Sequence, residues 1–178
     1  VLLGACAEQS PEPAARLGGS CHRTTVRGGG VALHNRRVDP GDDVEVLIAG
    51  AGPVGLTAAV ELARRGVGVR VVDPLTEPRG YAKAVGVQPR SLEVFEQMGV
   101  VGPMLDAAIA MRGQYVYVNG DKVGEIELPV PAGIPFGFAD IPQYETERIL
   151  RDALRRRGGS VERGVSVTGF TQSAAAVS

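Results

Sequence analysis

Thiol and imidazole chemistry is nearly missing from this chain. Its 178 residues include two cysteines and two histidines. All four, Cys6, Cys21, His22 and His34, precede Val44. From Val44 onward there is no Cys-His or Ser-His catalytic set and no conventional zinc site. A chain with such a residue set leaves difficult chemistry to a cofactor. Long apolar runs are missing as well: none approaches the roughly 18 residues that a membrane-spanning helix needs. Neither sign of charge dominates, with 19 Lys and Arg against 20 Asp and Glu. That balance gives no electrostatic case for nucleic acid or for an anionic membrane surface as a partner.

Residues 1–43 show neither helical nor strand periodicity. Pro11, Pro13, Gly18-Gly19 and Gly28-Gly29-Gly30 interrupt any regular run. The segment reads as a disordered extension, or as sequence not native to the domain that follows. Leu3-Gly4-Ala5-Cys6 resembles a lipoprotein cleavage box, but the basic and long apolar regions of a signal peptide are not present before it. The spacings of Cys6, Cys21, His22 and His34 fit no common metal-ligand pattern, so no metal is expected.

What is present begins at Val44. Val44, Val46, Leu47 and Ile48 form a short apolar run, expected to be a parallel strand buried on both faces. The turn Gly50-Ala51-Gly52-Pro53-Val54-Gly55 follows. A helix is predicted over Pro53 to Arg65, with Pro53 at its first position and Leu56, Ala59, Val60 and Ala63 as its buried stripe. Gly66 stops it. Val67, Val69, Val71 and Val72 make a second strand, which ends at Asp73. Strand, glycine turn, helix, strand and acid stand in the order and spacing of a dinucleotide-binding βαβ unit. Gly50 permits the sharp turn, Gly52 lets the backbone approach a pyrophosphate, and Gly55 allows close packing of helix on strand. The amides and dipole of the helix start favour the anion. Asp73 is placed to accept hydrogen bonds from ribose hydroxyls. Its plainer role is a turn former before Pro74.

Further elements follow. Residues 74–88 read as a loop. Helices are predicted over Pro89 to Met98 and, more briefly, over Met104 to Ala110. Gly113 to Leu128 alternates like a hairpin around Asn119-Gly120, with its register open. A helix over Gln143 to Arg157 turns Ile149, Leu150, Ala153 and Leu154 inward, and Arg155, Arg156 and Arg157 suit its C-terminal dipole as a solvated end. One or two strands are expected within Val161 to Phe170.

The residues after Asp73 add a resemblance. Glu77 to Gly99, with Pro89-Arg90-Ser91-Leu92-Glu93 at the start of a helix, is followed by Pro142-Gln143 and Thr146-Glu147 at the start of another. Together with the glycine turn, these motifs resemble the amino-terminal half of the class A flavoprotein monooxygenases, the group of p-hydroxybenzoate hydroxylase and the aromatic polyketide hydroxylases. The resemblance covers about Val44 to Phe170. It implies an α/β fold: a Rossmann-like FAD-binding βαβ domain of the glutathione-reductase type over 44–178, with a β-hairpin insertion. It implies FAD as cofactor, NAD(P)H as electron donor, O2 as co-substrate, and hydroxylation of a small aromatic or polyketide-like substrate in the cytoplasm. The cofactor-binding residues it points to are Gly50, Ala51, Gly52, Pro53, Val54, Gly55, Asp73, Lys83 and Gln143. Lys83 stands where the family usually carries arginine near the flavin pyrophosphate and the nicotinamide path. Lysine there keeps the charge and loses the two-pronged grip. Gln143 matches a family glutamine near the ribityl chain and phosphates. Arg90 matches a family arginine of structural character, and Arg79 is given no role. An Asp-Gly and a Gly-Asp motif found later in the family, and most of its substrate domain, have no counterpart here. The sequence therefore reads as an amino-terminal fragment, expected to be inactive by itself. The alternatives are a non-catalytic remnant and a small NAD-binding Rossmann module, the latter disfavoured by the hairpin and the Gln143 helix.

Overall fold

A computed structural model describes residues 2–5 and 44–174 of the chain. Among the described residues the elements in chain order are β1 (Leu2–Ala5), β2 (Val46–Ala49), α1 (Pro53–Ala63), β3 (Val69–Asp73), β4 (Gly86–Val87), α2 (Pro89–Gln97), α3 (Val101–Asp106), β5 (Ile109–Ala110), β6 (Gly113–Val118), β7 (Asp121–Glu127), β8 (Ala139–Asp140), α4 (Gln143–Arg155) and β9 (Val161–Arg163). The chain divides into two compact units, one of residues 31–80 and 146–178, the other of residues 1–30 and 81–145.

The first unit holds a three-stranded sheet in the order β2-β3-β9. Both pairings are parallel, Val46 opposite Val69 in one and Val71 opposite Val161 in the other. Helix α1 connects β2 to β3 and packs against both. Its apolar spacing explains this: Leu56, Ala59 and Val60 are fully buried, as a stripe recurring at three and four residues must be when a helix lies on a sheet. Ala63, the fourth member of that stripe, is only half-buried. The helix begins where Leu56 donates to the Gly52 carbonyl at 2.9 Å. It closes with Gly66 donating to Ala63 and Val67 to Leu62, each at 3.1 Å. This paired closure recurs after α2 at Gly99-Val100 and after α4 at Gly158-Gly159, so each of the three helices closes at a glycine, as expected at Gly66. Ile149, Leu150, Ala153 and Leu154 of α4 are buried. At its far end Arg157 donates to the Ala153 carbonyl at 2.9 Å and Arg155 pairs with Asp152 at 3.3 Å, the solvated, cation-capped end expected from the dipole.

Strand β2 departs from expectation. Its side chains alternate between half-buried and exposed, and Leu47 is 52% exposed. Leu47 and Ala49 share one face and are exposed, while Val46 and Ile48 share the other and are half-buried; among the described residues β2 is also an edge strand, paired only with β3. Strand β3, between two neighbours, is the buried one. Arg70 on β3 makes two 2.8 Å bonds to Glu162 on β9, tying the strands together across the sheet.

The second unit carries two small antiparallel sheets, β1-β6-β7 and β4-β8-β5. Helices α2 and α3 pack on each other, with Leu92, Phe95, Met98 and Met104 buried. The hairpin forms around Asn119 (φ 52°) and Gly120 (φ 94°), two successive left-handed residues of the kind that a twisted two-residue turn needs. Its ladder shifts register between Val116 and Tyr117. The helix expected over Met104 to Ala110 is instead α3 at Val101–Asp106, and Ile109-Ala110 becomes β5 because β8 offers it a ladder. Likewise Gly86-Val87, expected as loop, pairs with β8. The first 43 residues were expected to hold no regular element, yet Leu2–Ala5 runs antiparallel to β6. Cys6, Cys21, His22 and His34 lie outside the described residues. Among the described residues no helix is long and apolar enough to cross a membrane, and no cluster of His, Cys, Asp and Glu could hold a metal ion.

Candidate functional site

The glycine turn and Asp73 meet. Asp73 Oδ2 accepts a hydrogen bond from the Ala51 amide at 2.7 Å, and Oδ1 accepts one from Leu75 at 2.9 Å. Gly50 donates to the Val72 carbonyl at 2.8 Å, so the turn is fastened to the end of β3 at two successive points. Gly50 has φ +104°, in the region that a residue with a Cβ enters only at a cost. Gly52 has φ −77° and ψ −178°, and a Cβ built on it would meet nothing within 4 Å. A Cβ on Gly55 would overlap the Gly50 carbonyl oxygen and lie 3.2 Å from Ile48 Cγ2. The three glycines thus have three separate reasons: backbone angle, open space beside the turn, and helix-to-strand contact.

Pro53 has no amide, and the Val54 and Gly55 amides precede the first intrahelical bond. They belong to the set of helix-start donors that need an outside acceptor, and they carry the positive end of the helix dipole. Val54 is 85% exposed, so this end is open to a ligand. The Ala51 amide differs: Asp73 already takes it. Ala51 therefore shapes the turn.

Asp73 is 7% exposed. Burial alone raises its carboxyl, but the Ala51 and Leu75 amides, then Arg163 and Arg79, outweigh that and hold it below the ordinary 3.8. A depressed folded-state value means that Asp73 adds stability above pH 3.8, which is lost as pH falls through the folded value. The bond to Leu75 is the turn-forming contact that a plain aspartate before Pro74 would make. The bond to Ala51 spans 22 residues and has no such local explanation.

Lys83 and Gln143 lie in the other unit. There the Gln143 amide donates to the Ala84 carbonyl at 3.1 Å, and Ile141 to Val85 at 2.8 Å. Two candidates 60 residues apart in sequence are thereby joined through the residue next to Lys83. Lys83 itself is exposed. Arg90 is exposed too and pairs with Glu93 on its own helix at 2.5 Å. Sequence reasoning missed Arg163, whose Nη1 lies 3.2 Å from Asp73 Oδ1. Only the parallel register of β9 on β3, which sets Arg163 opposite Asp73, reveals it.

Asp140 on β8 is a second carboxylate of interest. Its Oδ1 is buried without a hydrogen-bond partner, and burial holds its carboxyl above the ordinary 3.8. A raised folded-state value means the folded chain is favoured at low pH and penalised once Asp140 ionises. We expect Asp140→Asn to raise the urea midpoint at about pH 7, where the penalty applies, and to lose that gain below about pH 3.8. Equal midpoints for the two chains at both pH values would contradict this.

The chain's relatives agree with the geometry. Residues 43–178 match the family described as FAD binding domain. The chain belongs to the FAD-binding domain family of the class A flavin-dependent monooxygenases. It is 40% identical over 142 residues to a "Flavin-dependent monooxygenase" of Mycobacteroides abscessus, covering 75% of this chain and 30% of that protein. It is 38% identical over 133 residues to the 6-methylpretetramide 4-monooxygenase of Streptomyces rimosus, covering 71% and 23%. Among solved structures it resembles the flavin-dependent monooxygenase PieE in complex with FAD and substrate, with TM-score 0.70 and 27% identity over 78% of this chain and 27% of that one. It also resembles OxyS, an anhydrotetracycline hydroxylase from Streptomyces rimosus, with TM-score 0.64 and 31% identity over 75% and 27%. The chain spans less than a third of the length of these relatives.

Proposed function

We propose that residues 44–178 are the amino-terminal FAD-binding part of a monooxygenase that hydroxylates an aromatic or polyketide-like substrate, with residues 1–43 as an extension to it. The observation that carries this is the 2.7 Å bond from the Ala51 amide to Asp73, which sets an open helix start and a carboxylate in one bend. An adenosine diphosphate needs both: donors and a positive dipole end for its phosphates, and an acceptor for its ribose hydroxyls. On this reading the fold is the glutathione-reductase type of Rossmann domain, and the β6–β7 hairpin is an insertion in it.

The chain's residues fit the group. The room beside Gly52 admits a phosphate against the backbone, and the amides of Val54 and Gly55 donate to it. Asp73 keeps lone pairs for ribose, since a carboxylate accepts about four hydrogen bonds. Lys83 and Gln143, which stand in the other unit, are the residues that the family resemblance assigns to the pyrophosphate and the ribityl side. FAD, when bound, supplies O2 activation with electrons from NAD(P)H. The named activities of the relatives support the substrate class, and the use of NAD(P)H supports a cytoplasmic setting. Because the chain spans 30% or less of those relatives, this polypeptide by itself hydroxylates nothing.

Gel filtration of the whole chain after mixing with FAD tests the reading. A flavin spectrum travelling with the protein, without substrate-dependent NADPH consumption, is the expected result. Colourless protein would contradict the cofactor assignment. NADPH consumption coupled to hydroxylated product would contradict the inactivity.

A further inference from the structure

Arg163 ends β9 beside Asp73, and its two terminal nitrogens differ. Nη1 lies 3.2 Å from Asp73 Oδ1, the side chains being 18% and 10% exposed. Nη2 is buried and has no hydrogen-bond partner. A guanidinium carries five donors in a fixed fork and has no uncharged form to retreat to. A buried nitrogen of this kind is short of an acceptor. Arg151 on α4 has the same deficit. Its Nη1 is buried without a hydrogen bond, and its ion-pair partner Glu147 Oε2 stands 3.9 Å away. Burial, and next the charge of Arg163, disfavour the Arg151 cation. Arg79 adds a third positive charge that acts on Asp73.

This surplus of donors sits at the carboxyl end of β3, one strand from the glycine turn, where open parallel sheets receive their ligands. A ligand atom here must be an acceptor. It must also tolerate Asp73, whose negative charge stands against a second anion such as a ribose 2′-phosphate. A neutral acceptor satisfies both conditions. The adenosine end of a dinucleotide offers several, in its ribose oxygens and purine ring nitrogens.

We propose that Arg163 serves the adenosine subsite twice, orienting Asp73 through Nη1 and donating Nη2 to a neutral acceptor on the adenosine. The proposal rests on the FAD reading above. Lysine in its place keeps a charge against Asp73 and loses the second donor, so the two roles come apart in R163K.

The test titrates the whole chain, as wild type, R163K and Arg163→Met, with FAD by flavin fluorescence and with ADP by calorimetry. Cofactor-free melting is measured alongside. R163K is expected to weaken FAD and ADP alike by about threefold or more, and Arg163→Met by about tenfold or more, as for a lost charge-assisted bond. The cofactor-free melting of R163K is expected to stay close to that of wild type. Dissociation constants of R163K within about twofold of wild type overturn the proposal, whatever the melting temperatures show, because a purely structural ion pair moves melting alone. If Arg163→Met does not fold, R163K decides by itself. A wild-type chain that binds neither FAD nor ADP overturns the cofactor reading and this proposal with it. Wild-type binding with R163K unchanged overturns this proposal only.

Discussion

Gly55→Ala lowers the melting temperature of the cofactor-free chain by about 4–8 °C, for a net loss of about 2 kcal/mol in a domain of this size. The new methyl would overlap the Gly50 carbonyl oxygen and press on Ile48 Cγ2. Neither neighbour yields readily. Gly50 is held by its bond to Val72 at 2.8 Å and by a φ of +104°, and Ile48 belongs to β2. Overpacking of this kind costs about 3 kcal/mol, and the better helix propensity of alanine returns about 1 kcal/mol. Thermal unfolding followed by circular dichroism measures the difference. An unchanged melting temperature would mean that helix and strand are not in contact at this residue. Gly55→Val adds two more methyls at the same spot and is expected to leave little folded protein.

Much of this arrangement was legible because it is local. The apolar spacing of Leu56, Ala59 and Val60 marks the face of α1 within three turns of chain. Gly66 and Gly99 mark stops within three residues of a helix end, and Asn119-Gly120 makes a turn out of its own backbone preference. Asp73 was legible for another reason: a βαβ unit of fixed length returns the end of its second strand to the turn that follows its first.

What stayed hidden depends on pairings between distant residues. Ile109 and Ala110 are strand only because Asp140 and Ala139 lie beside them. Nothing in the segment from Met104 to Ala110 says so, and its composition suits a helix equally. Gly86-Val87 is the same case. Leu47 reads as buried by its type, yet it lies on the exposed face of β2, whose side chains alternate between exposed and half-buried. The contact of Arg163 with Asp73 joins residues 90 apart, and no spacing rule connects them. The strand expected somewhere in Val161 to Phe170 closes after Arg163, where Gly164 turns with φ +72° and donates to Leu75.

Gly52→Val is the counterpart to the Gly55 change. It leaves melting nearly unmoved and removes cofactor binding. Gly52 has extended backbone angles that valine also adopts, and its Cβ direction is open for 4 Å. Valine there clashes with nothing in the chain, only with a phosphate brought against the turn. Losing two amide-to-phosphate bonds of about 1.5–3 kcal/mol each weakens FAD by about 100-fold or more. The pair of variants therefore separates two uses of glycine in one turn, one for the fold and one for the ligand.

The most direct measurement is a fluorescence titration of FAD into the wild-type chain and into Gly52→Val, with ADP as competitor. Wild type is expected to bind FAD and to release it to ADP, while the variant, still folded, binds neither. Equal FAD affinity in the two chains, or FAD that ADP does not displace, would show that this turn does not hold the adenosine diphosphate end of the cofactor.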